Sequence, residues 1–345
     1  MERETQYKQL PGALLPWYRA NARDLPWRRD TEPYHVWLSE IMLQQTRVEA
    51  VRDYYLRFLE ALPTLKALAE TDEERLLKLW EGLGYYSRAR NLQKAARYIV
   101  RKRDGEFPQR YEEILALPGV GPYTAGAVAS ICFELPKAAV DGNVLRVLSR
   151  MTEDAAPIDL PQTKQNMAER LERVYPAGAC GVFTQALMEL GATVCTPRSP
   201  KCAACPAAGF CLAREHGTAE KLPVRLPKRE KRVEQRTVYL FRCGEKLALE
   251  RREARGLLSG LWQLPNEDGA LDAAGALRHA ANMGVRPVEL SREVHRTHVF
   301  THVRWEMVGY HIQCAEAAPG FTWAAEEELR EKYALPTAFR IFLED

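Results

Sequence analysis

LPGVGPYTA, residues 117–125, is the segment that decides the fold, because it places Gly119 and Gly121 between two stretches with helical periodicity. A Gly-x-Gly turn of this kind allows the backbone amides at the start of the second helix to approach a phosphate closely. Such a contact needs no long charged side chain, so it is independent of nucleotide sequence. Alone, the pattern also fits a plain tight turn. The sequence around it has to distinguish a phosphate-binding turn from a plain one.

The chain around this turn predicts one helix after another, from residue 1 to about residue 215. Apolar residues recur at helical spacing, and strand-like alternation is essentially missing. The helical segments are 33–42, 48–62, 72–80, 87–100, 109–117, 122–133, 142–151, 161–174 and 181–194. We therefore expect an all-α domain over residues 1–218.

A basic stretch follows this helical part. Residues 221–236 hold seven basic and two acidic residues, with prolines at positions 223 and 227. This composition predicts a semi-rigid basic linker, which we place at residues 219–236. The linker is either a solvated tether or a contact for a phosphate backbone.

Residues 237–345 have the pattern of a second domain, of mixed α/β type. TVYLFRC and KLALERR flank Gly244 and Glu245 as a hairpin, and VHRTHVFTHVRWEMVGYHIQC alternates over the length of two strands. A helix is predicted over residues 326–332. The chain thus predicts a helical domain, a linker and an α/β domain.

Composition excludes several classes of protein. The 345 residues include 49 basic and 46 acidic ones, so total charge says little about nucleic acid. The longest uncharged apolar stretch, residues 125–133, is far shorter than the roughly 20 residues of a membrane span. The polar start, MERETQYKQL, lacks the apolar core of a signal peptide. We expect a cytoplasmic protein without a membrane partner.

Four of the eight cysteines form one cluster, Cys195-x6-Cys202-x2-Cys205-x5-Cys211. A cytoplasmic chain does not normally keep disulfides, so the cluster indicates a metal site at residues 195–211. Zinc sites usually pair two C-x2-C units, and only one is present. The uneven spacing favours a [4Fe-4S] cluster over zinc.

Two carboxylates stand out in the helical part. Asp141, in VDGNV, precedes a predicted helix, where an aspartate is both a common N-cap and an oriented anion. Glu40, in WLSEIMLQQ, lies on the apolar side of its helix. A carboxyl group in apolar surroundings has a raised pKa and holds a proton near neutrality. From the residues alone, Glu40 is equally well a surface glutamate that flanks the core.

Taken together, LPGVGPYTA, VDGNV and the cysteine spacing resemble the endonuclease III (helix-hairpin-helix) superfamily of DNA repair glycosylases. LPWRRDTEPYHVWLSEIMLQQTRV and LWEGLGYYSRARNL resemble its adenine DNA glycosylase (MutY) branch, and the resemblance covers nearly the whole chain. It implies a base excision repair enzyme that acts as a monomer on double-stranded DNA and removes adenine from A:8-oxoguanine or A:G mispairs.

The resemblance also implies catalytic roles. Glu40 would protonate N7 of adenine, and Asp141 would stabilise the positive charge that develops at C1′ of the sugar. Asn143 and Tyr123 would form hydrogen bonds around this centre. Bifunctional members of the superfamily carry a lysine at the position of Tyr123, and a phenol cannot form an imine. The chain therefore resembles a monofunctional glycosylase.

The resemblance further implies residues that engage DNA, because an adenine inside a duplex must be flipped out. Gln44, Gln45 and Thr46 would form a wedge, and Tyr85 would stack on a base unless it is a packing aromatic. Trp27, Arg28 and Gln185 match positions near the adenine pocket, although another form of the family has a glutamate in place of Gln185.

The last domain resembles a Nudix hydrolase at GLWQLP, residues 260–265. Nudix catalysis needs a cluster of glutamates that binds magnesium. Aligning that frame on Gly284 puts Arg278, Ala281 and Asn282 at the glutamate positions, so hydrolase chemistry is not expected.

Phe300, Thr301 and His302 match a family loop that recognises 8-oxoguanine, with threonine in place of serine. The alternative for this loop is a buried strand. Two other functions stay open for the whole chain. They are an endonuclease III-like pyrimidine glycosylase and AP lyase, and a non-enzymatic DNA-binding protein that senses redox state.

Overall fold

The computed structural model describes residues 2–227, 230–253 and 255–344. The chain divides into two compact units. The first comprises Met1–Glu70 and Arg90–Pro227, and the second comprises Thr71–Ala89 and Lys228–Asp345. Within the described residues, no helix combines the length and the apolar character that crossing a membrane requires.

The first unit is helical, as predicted. The helices of the chain's first part are α1 (Glu2–Asn21), α2 (Pro33–Leu43), α3 (Val48–Ala61), α4 (Leu65–Glu70), α5 (Glu73–Leu79), α6 (Ser87–Lys102), α7 (Tyr111–Leu115), α8 (Pro122–Phe133), α9 (Gly142–Met151), α10 (Pro161–Glu172), α11 (Cys180–Thr193) and α12 (Leu212–Glu215). Short 3-10 turns occur at Pro26–Arg28, Cys202–Ala204, Ala208–Phe210 and Ala219–Lys221. Every predicted helical segment is present. Helix α1 contains Pro11 and Pro16, although proline normally interrupts a helix. The ends of α1 therefore do not follow from local sequence rules.

The turn between α7 and α8 depends on a glycine at its centre. Gly119 has φ +75°, and a Cβ at this position would lie 2.6 Å from the Cβ of Asn91. Both the backbone conformation and the close approach therefore require glycine. Gly121 follows in an extended conformation, and Pro122 then starts α8 at the first helical position, where proline is favoured.

The second unit contains a mixed sheet. Its strands are β1 (Arg232–Cys243), β2 (Lys246–Arg251), β3 (Trp262–Gln263), β4 (Asn266–Asp268), β5 (Pro287–Val299), β6 (Val303–Cys314) and β7 (Thr322–Ala324). Its remaining helices are α13 (Ala273–Asn282), α14 (Glu326–Glu331) and α15 (Thr337–Arg340). The main strand order is β3-β2-β1-β6-β5, while β4 pairs with β1 and β7 pairs with β2. The predicted β1–β2 hairpin forms, and β1 and β6 run parallel.

Alternating side chains of β1 enter two cores, one on each face of the sheet. Tyr239 and Phe241 pack with Ala276 of α13, whereas Val238 and Leu240 lie in a core with Phe339 of α15. The sheet is therefore covered by helices on both faces, which requires apolar residues on both sides of its central strands. Helix α13 was not predicted as a helix.

The linker prediction is wrong in one part. Strand β1 begins at Arg232, so residues 232–236 belong to the sheet and not to a linker. Their backbone pairs in register with β6, and this long-range pairing outweighs the local signal of charge and proline. Lys228 and Arg229, also in the predicted linker, lie outside the described residues.

Thr71–Ala89, including α5, belongs to the second unit although it lies within the first half of the sequence. Its periodicity is helical, like that of the segments on either side. The local sequence pattern therefore does not distinguish Thr71–Ala89 from its neighbours. The predicted domain boundaries place this segment in the helical domain.

Candidate active site

The first unit contains a cavity of about 160 Å³ whose wall includes all four predicted catalytic residues. Residues from α2, α8, α9 and α11 line it, together with the turn before α2 and the loop after it. The predicted residues in its wall are Trp27, Arg28, Glu40, Thr46, Tyr123, Asp141, Asn143 and Gln185. Residues far apart in sequence therefore meet at one place.

Glu40 is a buried acid in this wall. Helix α2 begins where the Glu32 side chain caps the amide of His35, and this places Glu40 on the inward side, with 5% of its surface exposed. The Tyr123 hydroxyl donates a hydrogen bond of 2.6 Å to Oε2 of Glu40. Burial raises the pKa of Glu40 to about 7, and the hydrogen bond from Tyr123 opposes that increase. Glu40 is therefore available as a proton donor near neutral pH.

Asp141 is the N-cap of α9, and both of its oxygens are hydrogen-bonded. The backbone amides of Asn143 and Val144 donate to Oδ1 at 2.9 and 2.7 Å, and Nδ2 of Asn143 donates to Oδ2 at 2.9 Å. Burial raises the pKa of Asp141, and these three donors act against the increase. They favour the ionised form and fix its orientation. The cap and the oriented anion, both expected from the sequence, coincide in one residue.

Asn143 is itself held in place. Nη2 of Arg146, one turn further along α9, donates to Oδ1 of Asn143 at 2.9 Å. This contact directs the Nδ2 group of Asn143 towards Asp141. The carboxylate is thus supported by a chain of side chains on one rigid helix.

Tyr123 is the second residue of α8, directly after the hairpin turn. Burial and the nearby Glu40 and Asp141 raise the pKa of Tyr123 well above its ordinary value, so the phenol stays protonated and acts as a donor. The residue that occupies the lysine position of the bifunctional enzymes is therefore a neutral neighbour of the buried acid.

The part of the wall that contains Arg28 and Gln185 is supported by residues that the sequence patterns do not reveal. The Tyr18 hydroxyl donates to Oε1 of Gln185 at 2.6 Å. Glu189, one turn after Gln185 on α11, is fully buried and pairs with Arg23 at 2.7 Å and Arg28 at 2.8 Å. The only sequence signal for Glu189 is its position four residues after Gln185.

The predicted wedge lies in the loop between α2 and α3. Gln45 has φ +60°, a left-handed conformation that is uncommon for residues other than glycine. Nε2 of Gln44 donates to Oγ1 of Thr124 at 3.2 Å, which ties the loop to α8. Thr46 reaches the cavity, whereas Gln44 and Gln45 are not in its wall.

Cys195, Cys202, Cys205 and Cys211 line one small cavity of about 30 Å³. Arg150, a buried residue of α9, lies beside them, with Nη1 3.4 Å from Sγ of Cys195. The same guanidinium donates to the carbonyls of Thr196 and Pro197 at 2.7 and 3.0 Å. The cysteine loop, residues 195–211, is therefore fixed to the helix that Asp141 caps.

In the second unit, Phe300, Thr301 and His302 form the turn between β5 and β6, which we call the reading loop. Thr301 and His302 are exposed, so the alternative of a buried strand is wrong. The Phe300 ring packs against Trp305 at 4.8 Å. The hydroxyls of Thr301 and Tyr85 lie 3.0 Å apart, so two residues that were predicted separately are in contact.

The Nudix-like part has no acidic cluster on its helix. Helix α13, whose sequence is AAGALRHAAN, carries Arg278, Ala281 and Asn282 at the positions where the glutamates of a hydrolase would lie. The helix is present, but it contains no carboxylate that could bind magnesium.

Comparisons with known proteins agree with both parts of the chain. Residues 38–176 match the HhH-GPD superfamily of base excision DNA repair proteins, and residues 236–345 match the NUDIX domain. The adenine DNA glycosylase of Rattus norvegicus is 34% identical, over 96% of this chain and 77% of that protein.

Two solved structures resemble the helical part. A thermostable thymine-DNA glycosylase has a TM-score of 0.56 and 30% identity, covering 61% of this chain and 98% of its own. Endonuclease III in a non-covalent DNA complex has a TM-score of 0.51 and 24% identity, covering 61% of this chain and 97% of its own, and this likeness shows the fold.

The fold and these matches define the class of protein, a DNA N-glycosylase of base excision repair. The chain belongs to the adenine DNA glycosylase family. The predicted family, fold class and enzyme class are therefore confirmed.

Proposed function

We propose that this enzyme hydrolyses the N-glycosidic bond of adenine opposite 8-oxoguanine, or opposite guanine, in duplex DNA and leaves the strand intact. The observation that carries this proposal is Glu40, a buried acid with a pKa of about 7 that lies in one cavity with Asp141. Two carboxyl groups with different environments divide the roles of acid and electrostatic stabiliser, as in retaining glycosidases.

The reaction follows from this arrangement. Neutral adenine is a poor leaving group, so Glu40 donates its proton to N7 as the bond between C1′ and N9 breaks. The bonding electrons move into the base, and positive charge develops at C1′. The ionised Asp141 stabilises that charge, and water then adds to C1′ and gives its proton to the Glu40 carboxylate, which restores the acid. Asn143 and the amides at the start of α9 keep Asp141 oriented during these steps.

Tyr123 supports the monofunctional reaction. An AP lyase of the endonuclease III type requires an amine that forms a Schiff base with the sugar, and a phenol cannot do so. Borohydride added during turnover should therefore trap little or no enzyme on DNA, and strand scission should need alkali. Efficient trapping would favour the lyase alternative.

DNA contacts are assigned to three regions. The amides of the hairpin turn, at Gly119 and Gly121, bind a backbone phosphate. Gln44, Gln45 and Thr46 fill the gap left by the flipped adenine, and Trp27, Arg28 and Gln185 surround the base. The reading loop, with Tyr85 beside it, contacts 8-oxoguanine through the Thr301 hydroxyl.

A [4Fe-4S] cluster is the cofactor that fits the cysteine loop. Four cysteines line one cavity, which matches the ligand count of such a cluster. When bound, the cluster would fix the loop that Arg150 attaches to α9. Purified protein should be yellow-brown and contain iron, and a colourless protein with one zinc would exclude this cofactor.

One experiment tests the proposed function. Duplexes with adenine opposite 8-oxoguanine, opposite guanine and opposite thymine, and one with thymine glycol opposite adenine, are incubated with the enzyme and then treated with alkali. We expect the fastest cleavage at adenine opposite 8-oxoguanine, slower cleavage opposite guanine and none in the other two. Cleavage at thymine glycol would support the pyrimidine glycosylase alternative. If no duplex is cleaved, the enzymatic proposal fails.

A further inference from the structure

Helix α5 is held to the C-terminal part of its unit by a partly buried ion pair. Nζ of Lys78 donates to Oε2 of Glu81 at 2.6 Å and to the carbonyls of Leu329 and Tyr333 at 2.8 and 3.2 Å. Oε1 of Glu81 accepts a hydrogen bond of 2.7 Å from the amide of Leu335. Both side chains are only 14% exposed. We call Lys78 and Glu81 the clasp.

The turn that follows the clasp is rigid and presents Tyr85. Nε1 of Trp80 donates to the carbonyl of Gly84 at 3.1 Å, and Nη2 of Arg88 donates to the carbonyls of Leu83 and Gly84. The Arg88 guanidinium also lies 5.6 Å from the centre of the Tyr85 ring. Tyr85 has φ +48° and is 46% exposed. Its position is therefore set by a short, hydrogen-bonded turn four residues beyond Glu81.

Tyr85 in turn faces the reading loop. Its hydroxyl lies 3.0 Å from Oγ1 of Thr301, and this contact restricts the rotation of the threonine hydroxyl. The Lys231 ammonium donates to the carbonyl of Phe300 at 2.7 Å, which holds the backbone of the loop. The loop backbone and the hydroxyl are thus held by different groups, and only Tyr85 acts on the hydroxyl among these contacts.

We propose that Lys78 and Glu81 are positioning residues for lesion specificity, because they hold the Tyr85 turn at the distance from which Tyr85 orients the Thr301 hydroxyl. The inference deepens the proposed function and rests on it. Lys78 is suited to this role because each of its three N–H groups has an acceptor, two of which are main-chain carbonyls that cannot rotate away. Loss of either member leaves a partner charge in a mostly buried place, and the segment then shifts.

A second ion pair joins α5 to strand β2 of the same unit and provides the matched control. Nη1 of Arg251 lies 3.5 Å from Oε1 of Glu74, but the two side chains are 50% and 40% exposed. Exposed pairs of this kind contribute little, because water screens them and their side chains stay mobile. Removing Arg251 therefore removes an ion pair from the same helix without removing the clasp.

The experiment uses the full-length enzyme in single-turnover assays on adenine opposite 8-oxoguanine and opposite guanine. We expect Lys78→Met and Glu81→Gln to lower the ratio of the two rates by about three- to fivefold, which does not exceed the loss expected when the Thr301 hydroxyl itself is removed. The rate opposite guanine should stay within about twofold of the wild type, since the acid Glu40 is untouched. Arg251→Gln should leave the ratio unchanged, and Lys78→Arg should restore most of it.

Thr301→Val in the same assay separates this inference from the proposed function. If the wild type cleaves both mispairs without preference for 8-oxoguanine, the lesion-recognition part of the proposed function fails, and the clasp inference fails with it. If Thr301→Val loses the preference while both clasp variants keep it, the clasp inference alone is wrong.

The double variant Lys78→Met/Thr301→Val should be no worse than Thr301→Val, because both changes act through one hydroxyl. Additive losses would contradict the inference. Should Lys78→Met unfold, Glu81→Gln, which keeps an acceptor for Leu335, decides the question.

Discussion

The cavity of the first unit and the reading loop of the second differ most in their exposure to water. Glu40 is buried and changes its pKa because water is excluded, whereas Thr301 is exposed at the end of two strands. A proton donor gains its chemistry from burial, and a hydroxyl that recognises a base has to remain accessible. We therefore expect substitutions in the cavity to change the reaction rate strongly and substitutions in the loop to change mispair preference only slightly.

The largest effect is expected at the buried acid. Glu40→Gln should slow adenine release by about 10²–10⁴-fold, the usual contribution of a general acid, because glutamine cannot donate the proton to N7. Binding to the mispair should persist, since glutamine has nearly the same shape and still accepts the hydrogen bond from Tyr123. Glu60→Gln, an exposed change on α3, is the control. Adenine release near the wild-type rate would show that Glu40 is not the general acid.

The pH dependence should show the same acid. The folded-state pKa of Glu40 is raised to about 7, so the catalytically competent, protonated form dominates below that pH and is lost above it. The single-turnover rate should fall by about tenfold for each pH unit well above 7. At low pH, protonation of Asp141 should also reduce the rate. A flat profile between pH 6 and 9, with chemistry rate-limiting, would contradict this assignment.

Tyr123→Phe should have an intermediate effect. The phenol donates to Glu40 and lowers its pKa, so its removal should raise that pKa and move the alkaline limb to higher pH. At a pH where Glu40 is fully protonated, the rate should fall by roughly tenfold, because the carboxylate that forms as Glu40 gives up its proton has lost one hydrogen bond to a charged group. Tyr98→Phe, at a half-exposed position on α6, is the matched control. If the alkaline limb of the pH profile did not shift, the hydrogen bond from Tyr123 would not control the pKa of Glu40.

The smallest effect is expected at the reading loop. Thr301→Val removes the hydroxyl and keeps the shape, so the preference for 8-oxoguanine over guanine should fall by about 1 kcal/mol, or roughly fivefold. Thr301→Ser should retain the preference. The rate opposite guanine should not change. Equal discrimination by the wild type and Thr301→Val would place lesion recognition elsewhere in the chain.

Deleting all residues beyond about position 220 is a poorer test of the same point. The second unit includes Thr71–Ala89, and Lys78 and Glu81 of that segment bond to the backbone of residues 329–335. Truncation would remove these partners and leave the α5 segment without the rest of its unit. A point change at Thr301 separates lesion recognition from this structural damage.

The sequence by itself determined the chemical groups and the local structure. The helical periods, the Gly119 turn and the cap at Asp141 depend on residues close together in the chain, and each is present as predicted. The cysteine spacing is equally local, and the cluster that it indicates stays a prediction. The substitution of tyrosine for lysine at position 123 is likewise decided by residue identity alone, because only an amine can form the imine.

Only the tertiary structure decided the environment of these groups. From the residues alone Glu40 was equally an acid or a surface residue, and its burial, with a contact to Tyr123 across 83 positions, settles its environment. The pairing of Tyr85 with Thr301 spans 216 positions. Sequence periodicity reflects contacts between residues within about one helical turn. Burial and long-range contacts result from the packing of many residues at once. For that physical reason the pKa of Glu40 and the place of Thr71–Ala89 in the second unit emerged only with the fold.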